Sequence, residues 1–283
     1  MEREPDFITR LREDQTSGAS QLALQALDDG ARYLESTEYQ TFDTLTDLAE
    51  TLKAARPSMV PLRNAVERWQ QALDRNESAE ALQRQAIEHL RALHRALNEA
   101  GANTAQNAVS LIEPGATIMT HSRSSTVMRL FQELVDREIT FQVIVTLSGP
   151  GNEGLQVARD LAALRVPTTL ITDAQIGLFM AETDINISGC DCWLSDGYFI
   201  NKSGTYLQAL AARDWNKPFW VLADSFRDSP ALWADIRLEE KDPAELGCTN
   251  EQRVRARNIY FETVAERLIT GRVDEHSRRP QEP

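Results

Sequence analysis

The hydrophobic period of this chain changes at Pro114-Gly115, and that change constrains the fold more than any other feature. Before it, apolar residues recur at three- and four-residue intervals: Leu22, Ala23, Ala26 and Leu27, then Leu45, Leu48 and Leu52, then Leu82, Ala86, Ile87, Leu90, Leu93 and Leu97. That spacing puts each set on one helix face. Thr16-Ser17-Gly18, Asp28-Asp29-Gly30, Ala55-Arg56-Pro57-Ser58 and Gly101 are turn or capping signals at the helix edges. After Pro114-Gly115 the apolar runs shorten to strand length, at 116–120, 141–147, 168–172, 185–188 and 219–223. Helical stretches lie between them at 125–136, 154–164, 174–182 and 204–214. Alternating strands and helices of this length predict a mainly parallel sheet covered on both faces. The expected fold class is therefore α/β, with a helical N-terminal domain over 1–112 and a Rossmann-like domain over 113–283. A last periodic stretch, Val254 to Ile269, predicts a C-terminal helix followed by a frayed charged tail.

Composition removes several function classes. The chain has 283 residues, 42% hydrophobic and 26% charged, which fits globular rather than disordered or fibrous proteins and allows one large or two unequal domains. No window approaches 18 uncharged apolar residues, and MEREPDFITRLRED is too charged for a signal peptide, so a soluble, cytoplasmic chain is expected. The net charge of −13 repels nucleic acid and anionic membrane, and no local basic patch offsets it, so neither is an expected partner. Cys190, Cys192 and Cys248 are odd in number and suit a reducing compartment. Neither Cys-x-Cys nor the four histidines (His89, His94, His121, His276) have metal-ligand spacing, and no metal is expected. His89 and His94 read as solvated helix residues.

Three turns and one carboxylate are candidates for chemistry. Thr120-His121-Ser122-Arg123-Ser124-Ser125-Thr126 joins a strand to a helix and offers five hydroxyls and a cation where a helix N-terminus attracts anions. The alternative is ordinary helix capping, which needs one hydroxyl. Asn201-Lys202-Ser203-Gly204-Thr205 places one of only four lysines before a helix. It resembles the tail of a phosphate loop without the glycines that complete one, and a surface turn is the alternative. Gly149-Pro150-Gly151-Asn152-Glu153-Gly154, with Asp173 after the next strand, has the context of a dinucleotide fingerprint, although Pro150 constrains the turn and the acid comes late. Asp191 lies at a strand exit. Side-chain alternation points it away from Cys190 and Cys192, which read as buried small apolar residues. Its apolar flanks would desolvate the carboxyl and raise its pKa toward acid-base usefulness.

Taken in order, Thr117-Ile-Met-Thr-His-Ser-Arg-Ser-Ser125, Asp173-Ala-Gln-Ile-Gly177, Gly189-Cys-Asp191, Asp196-Gly-Tyr-Phe-Ile-Asn-Lys-Ser-Gly-Thr205, Asn216-Lys-Pro-Phe219 and Asn258-Ile-Tyr-Phe-Glu-Thr-Val264 resemble one superfamily. It joins the alpha, beta and delta subunits of translation initiation factor 2B with methylthioribose-1-phosphate isomerase and ribose-1,5-bisphosphate isomerase. In the helical half, Ser17-Gly18-Ala19-Ser20 and Arg56-Pro-Ser-Met-Val-Pro-Leu-Arg-Asn-Ala65 look like its substrate-side loops. The resemblance runs from about residue 8 to 272, and Asn-Lys-x-Gly-Thr is its most specific motif.

The resemblance implies a phosphosugar bound between a helical and a Rossmann-like domain, no cofactor, and a homodimer or higher homo-oligomer formed through the C-terminal domain. In the isomerases a cysteine follows the Thr-His pair and an aspartate follows Gly-x. Asp191 matches the aspartate, whereas Ser122 stands at the cysteine position, as in the initiation-factor subunits. The implied catalytic residues are thus Asp191 and Ser122, and the implied substrate-binding residues are Ser17, Gly18, Ala19, Arg56, Ser124, Asn201 and Lys202. Leu147-Ser148-Gly149-Pro150 replaces the family's Glu-Ser/Thr-Arg-Pro, and Ser17 replaces an arginine. A serine hydroxyl is a far weaker acid than a thiol of pKa near 8.5, so Ser122 donates hydrogen bonds more readily than protons. The glycine loop becomes a structural, substrate-side turn. The leading expectation is a phosphosugar-binding protein, a divergent aldose-phosphate to ketose-phosphate isomerase. A non-catalytic regulatory or interaction protein is the second reading. A dinucleotide-binding enzyme, resting on Gly149, Gly151, Gly154 and Asp173, is the third.

Overall fold

Five helices account for the N-terminal period: α1 (Asp6–Glu13), α2 (Ala19–Ser36), α3 (Phe42–Ala55), α4 (Val60–Gln71) and α5 (Ala79–Ala108). The computed structural model describes residues 4–14, 17–247 and 253–280, and Cys248 lies outside them. Thr41 caps α3 by accepting from the Thr44 N–H at 3.3 Å, and Pro61 sits in the first turn of α4, where its missing N–H costs nothing. The apolar faces close a core of Leu22, Leu27, Leu34, Leu45, Leu52, Leu62 and Trp69, all fully buried. The Trp69 indole N–H donates to the Ala86 carbonyl at 3.0 Å, so the ring is buried without an orphaned donor. His89 and His94 are half-buried rather than solvated.

The chain divides into two compact units, 1–100 and 101–283. The division falls within α5, earlier than residue 112, because Ala105, Ala108, Val109 and Ile112 pack into the second unit's own core. That unit runs β1 (Ala116–Thr120), α6 (Ser125–Asp136), β2 (Phe141–Thr146), α7 (Gly154–Ala163), β3 (Thr168–Ile171), α8 (Ile176–Phe179) and β4 (Ile185–Ser188). It continues with β5 (Cys192–Trp193), β6 (Tyr198–Lys202), α9 (Thr205–Asp214), β7 (Phe219–Leu222), β8 (Glu240–Lys241), β9 (Asn258–Ile259), β10 (Phe261–Ala265), β11 (Gly271–Val273) and β12 (Arg278–Pro280). The α/β class is as expected: seven strands in the order β12-β11-β7-β4-β1-β2-β3 form one sheet, parallel except for β12. Adjacent residues feed opposite faces. Ile118, Val143 and Val145 pack under α6 and α7, while Met119 and Ile144 join a second cluster with Ile176 of α8 and Ala209 and Ala212 of α9.

Several expectations fail locally. Asp28-Asp29-Gly30 and Gly101 lie inside α2 and α5 and not at helix edges, and the tail expected to fray supplies β11 and β12 to the main sheet, with Val273 fully buried. The predicted helix over 254–269 is instead β9, β10 and a 3-10 turn, because β10 pairs antiparallel with β6 (Phe261↔Lys202, Val264↔Phe199) in a small sheet β10-β6-β5. Pairing with a partner distant in sequence outweighs the local period. The predicted helix over 174–182 is broken into α8 flanked by 3-10 turns, opened by a Thr172–Gln175 capping box.

Candidate functional site

The sheet order places a crevice at the carboxyl ends of β1 and β4, since β2 and β3 lie on one side of β1 and the chain then returns to the other. Open parallel sheets bind ligands at such reversals. The two turns that leave these strands touch. A Cβ on Gly189 would fall 2.5 Å from Ser124 Cβ and Oγ, so only glycine lets the turn after β4 approach the turn after β1. Ser124 caps α6, accepting from the Val127 N–H at 3.4 Å.

Ser122 has φ +64°, and its N–H donates to Ser148 Oγ at 2.8 Å. Its hydroxyl donates to Glu153 Oε1 at 2.9 Å. Glu153, the residue before α7, also pairs with Lys202 Nζ at 2.9 Å through Oε1 and 3.1 Å through Oε2. Lys202 ends β6 with its side chain only 3% exposed, and its ammonium lies 4.0 Å from the Tyr260 ring centroid. Ser122, Glu153 and Lys202 thus form one chain of contacts across three elements.

Asp191 is half-buried beside this chain. Burial pushes its carboxyl above the usual carboxylate range. The Arg227 charge opposes that rise, Glu153 adds to it and Lys202 opposes it. Arg227 is buried, donates to the Cys190 carbonyl and lies 3.4 Å from Asp224 Oδ2. The Asp191 N–H donates to the Ile200 carbonyl at 2.9 Å, tying the exit of β4 to β6. Cys190 and Cys192 are buried, unbridged thiols, as the alternation predicts, and burial pushes the Cys190 thiol well up.

The His121 ring is buried, with Nε2 2.8 Å from the Ser203 carbonyl and Nδ1 2.6 Å from Thr146 Oγ1. A carbonyl only accepts, so Nε2 carries the proton and Nδ1 accepts from the Thr146 hydroxyl. Burial lowers the imidazole pKa, against the pull of Asp173, whose carboxylate is 3.8 Å away. Asn201 spends its two amide hydrogens on Ser188 Oγ at 3.0 Å and Thr205 Oγ1 at 2.8 Å. The start of α9 is occupied: Glu262 Oε1 accepts from the N–H groups of Gly204 at 2.7 Å and Tyr206 at 2.8 Å. In the glycine loop, Asp173 accepts from the N–H groups of Ser148 at 2.8 Å and Gly149 at 2.7 Å, which spends the acid that a dinucleotide ribose would need. Gly154 serves packing, since a Cβ there would meet the Thr146 carbonyl oxygen at 1.9 Å. Among the described residues no group of three or more His, Cys, Asp or Glu is placed to hold a metal ion.

The helical unit carries the other candidates. Ser17 donates its N–H to Asp14 Oδ1 at 2.9 Å, Gly18 is the N-cap of α2 and Ala19 its first residue. Arg56 ends α3, donates through Nε to the Leu11 carbonyl at 3.0 Å, and leaves Nη2 buried without a hydrogen-bond partner among the described residues.

Comparison with known proteins gives this geometry a lineage. Residues 15–276 match the model of the initiation factor 2 subunit family. The chain belongs to that family. A Pyrococcus horikoshii relative named translation initiation factor eIF-2B subunit 2-like is 34% identical over 276 residues, covering 97% of this chain and 95% of the relative. A ribose 1,5-bisphosphate isomerase from Archaeoglobus fulgidus is 28% identical over 287 residues, covering 100% and 91%. The crystal structure of Pyrococcus horikoshii translation initiation factor eIF-2B superposes with a TM-score of 0.82 at 32% identity, covering 96% of this chain and 95% of that one. The family therefore includes both sugar-phosphate isomerases and proteins named as initiation factors. No helix among the described residues is long and apolar enough to cross a membrane.

Of the residues expected from the sequence, Ser122, Ser124, Asp191, Asn201 and Lys202 lie in the sheet unit; Glu153, Arg227 and Glu262, whose side chains contact this region, were not among them. Glu153 stands inside the glycine run and was hidden by it. Glu262 sits in the stretch read as a helix. Arg227 carries no local signal, because its contact to Cys190 exists only once β7 lies beside β4.

Proposed function

We propose that this chain binds a sugar phosphate at the carboxyl ends of β1 and β4 and interconverts its aldose and ketose forms. The observation that carries the reading is Asp191: a carboxyl at the strand reversal, raised by burial, within reach of the Arg227, Glu153 and Lys202 charges. Aldose–ketose interconversion moves one hydrogen between C2 and C1 and needs a group that delivers a proton to one sugar oxygen and removes one from another. Where a phosphate esterifies the anomeric oxygen, that oxygen cannot release a carbonyl, so ring opening requires a proton on the ring oxygen. A carboxyl that keeps its proton above the ordinary range supplies it. Ser124 and the first turn of α6 receive the phosphate, Ser122 donates to a sugar oxygen when it leaves Glu153, and Asn201 and Lys202 complete the wall. Roles for Ser17, Gly18, Ala19 and Arg56 in substrate binding, and a homodimeric or larger assembly, rest on the resemblance. The isomerase relatives support the reading.

Calorimetry with pentose phosphates, run beside a coupled isomerase assay on wild type and Asp191→Asn, tests it. Binding with turnover that Asp191→Asn lowers roughly 100-fold is the expected result. A regulatory, non-catalytic role is the second reading, favoured by Ser122, whose hydroxyl is tied to Glu153 and cannot titrate near neutral pH. Binding without turnover in wild type would select it.

A further inference from the structure

The sheet unit fills its own anion seats. Glu262 takes the N–H groups at the start of α9, and Asp173 takes those of Ser148 and Gly149 before α7. Glu153 takes the third seat, the Lys202 ammonium with the Ser122 hydroxyl. Lys202 is buried, and its nearest partners are this carboxylate and the Tyr260 ring, with Asp191 and His121 within reach of its charge. The start of α6, by contrast, is capped by the uncharged Ser124. His121 adds no cation, because burial favours its neutral form.

We infer that Glu153 determines specificity by holding the Lys202 seat against a second phosphate, so that the ligand is a sugar monophosphate and not a bisphosphate. This rests on the sugar-phosphate reading above. A phosphoryl group carries about 1.5 to 2 negative charges near neutral pH. To reach Lys202 it must either evict Glu153, leaving that carboxylate unpaired, or sit against it. Phosphate at the α6 end faces neither cost, and the sugar hydroxyls can share Glu153 as acceptors.

The test is calorimetry of wild type, Glu153→Gln and Glu153→Asp with ribose 1-phosphate, ribose 5-phosphate, ribose 1,5-bisphosphate and inorganic phosphate. Wild type should bind a monophosphate at least as tightly as the bisphosphate. Glu153→Gln should shift the ratio tenfold or more toward the bisphosphate and acquire binding of inorganic phosphate, whereas Glu153→Asp, which keeps the charge, should do neither. Wild type preferring the bisphosphate tenfold, or Glu153→Gln leaving both readouts unchanged, overturns the inference. If sugar phosphates fail to bind wild type while Glu153→Gln alone gains inorganic phosphate, the closed seat stands and the sugar-phosphate reading falls. The wild-type comparison does not depend on any variant folding.

Discussion

Gly204→Ala tests whether the turn between β6 and α9 is as tightly built as the geometry says. Gly204 has φ +113° and ψ −21°, a conformation that costs an L side chain about 1–2 kcal/mol. The new Cβ would fall 2.5 Å from His121 Cε1 and 2.7 Å from Nε2, so the ring must retreat by roughly 0.9 Å to reach ordinary contact at 3.4 Å. That ring is held between Thr146 and the Ser203 carbonyl, so retreat breaks a buried hydrogen bond worth about 1 kcal/mol, on top of an overpacking cost of about 1–3 kcal/mol. The expected loss is about 3–6 kcal/mol. Urea unfolding followed by tryptophan fluorescence reads it as a lower midpoint at constant slope, Trp220 of β7 reporting on the sheet. Gly177→Ala is the control. It has nothing within 4 Å and no positive φ, and it lies in α8, so it should stabilise by about 0.5–1 kcal/mol. A Gly204→Ala loss below 1 kcal/mol, or one no different from Gly177→Ala, would refute the reasoning.

Three further outcomes follow from the same contacts. Asp191→Asn should lower turnover roughly 100-fold while calorimetric affinity survives. It should also stabilise the fold: the folded carboxyl keeps its proton to higher pH than the unfolded one, so wild type loses stability as pH rises through that window. The advantage of Asn in urea midpoints should therefore grow from pH 4 to pH 8, and a constant difference would contradict the assignment. His121 shows the opposite sign. Its folded pKa is depressed, so stability is present above about pH 6.5 and falls with acidification by at most about 1.4 kcal/mol per pH unit, a component that His121→Gln should remove from the denaturation profile. Ser122→Cys combined with Glu153→Gln should create or raise isomerase activity on a pentose 1-phosphate in the coupled assay, whereas Ser122→Cys alone should gain little.

Strands β1 and β4 coincide with their predicted limits because their residues are buried on both faces and read as continuous apolar runs. β6 and β10 were not legible. Their alternation is short, and the register Glu262↔Asn201 joins segments some sixty residues apart. The site divided the same way. Ser122, Ser124 and Asp191 follow strand ends, positions that periodicity locates. Glu153, Arg227 and Glu262 matter through the charge or amide each meets, and such a meeting is fixed by the path of the chain. The glycine loop misled for a related reason: its fingerprint was present, but Asp173 turned back to bind the loop that precedes it.

The serine at the cysteine position and the glutamate beside it are one arrangement. A hydroxyl donates to Glu153 without acquiring charge, whereas a thiolate at the same place would face a carboxylate. At about 4 Å and an effective dielectric of 20, that repulsion is roughly 4 kcal/mol before Lys202 returns part of it and solvent at the partly exposed Glu153 screens the rest. Ser122→Cys alone should therefore remain largely a thiol at neutral pH and gain little. Adding Glu153→Gln leaves Lys202 next to Cys, which favours the thiolate. The double variant should exceed the single one tenfold or more in iodoacetamide reactivity and in isomerase rate, with the two substitutions non-additive. Strict additivity would mean that Ser122 and Glu153 act independently. The 2.9 Å contact between them would then be packing and not chemistry.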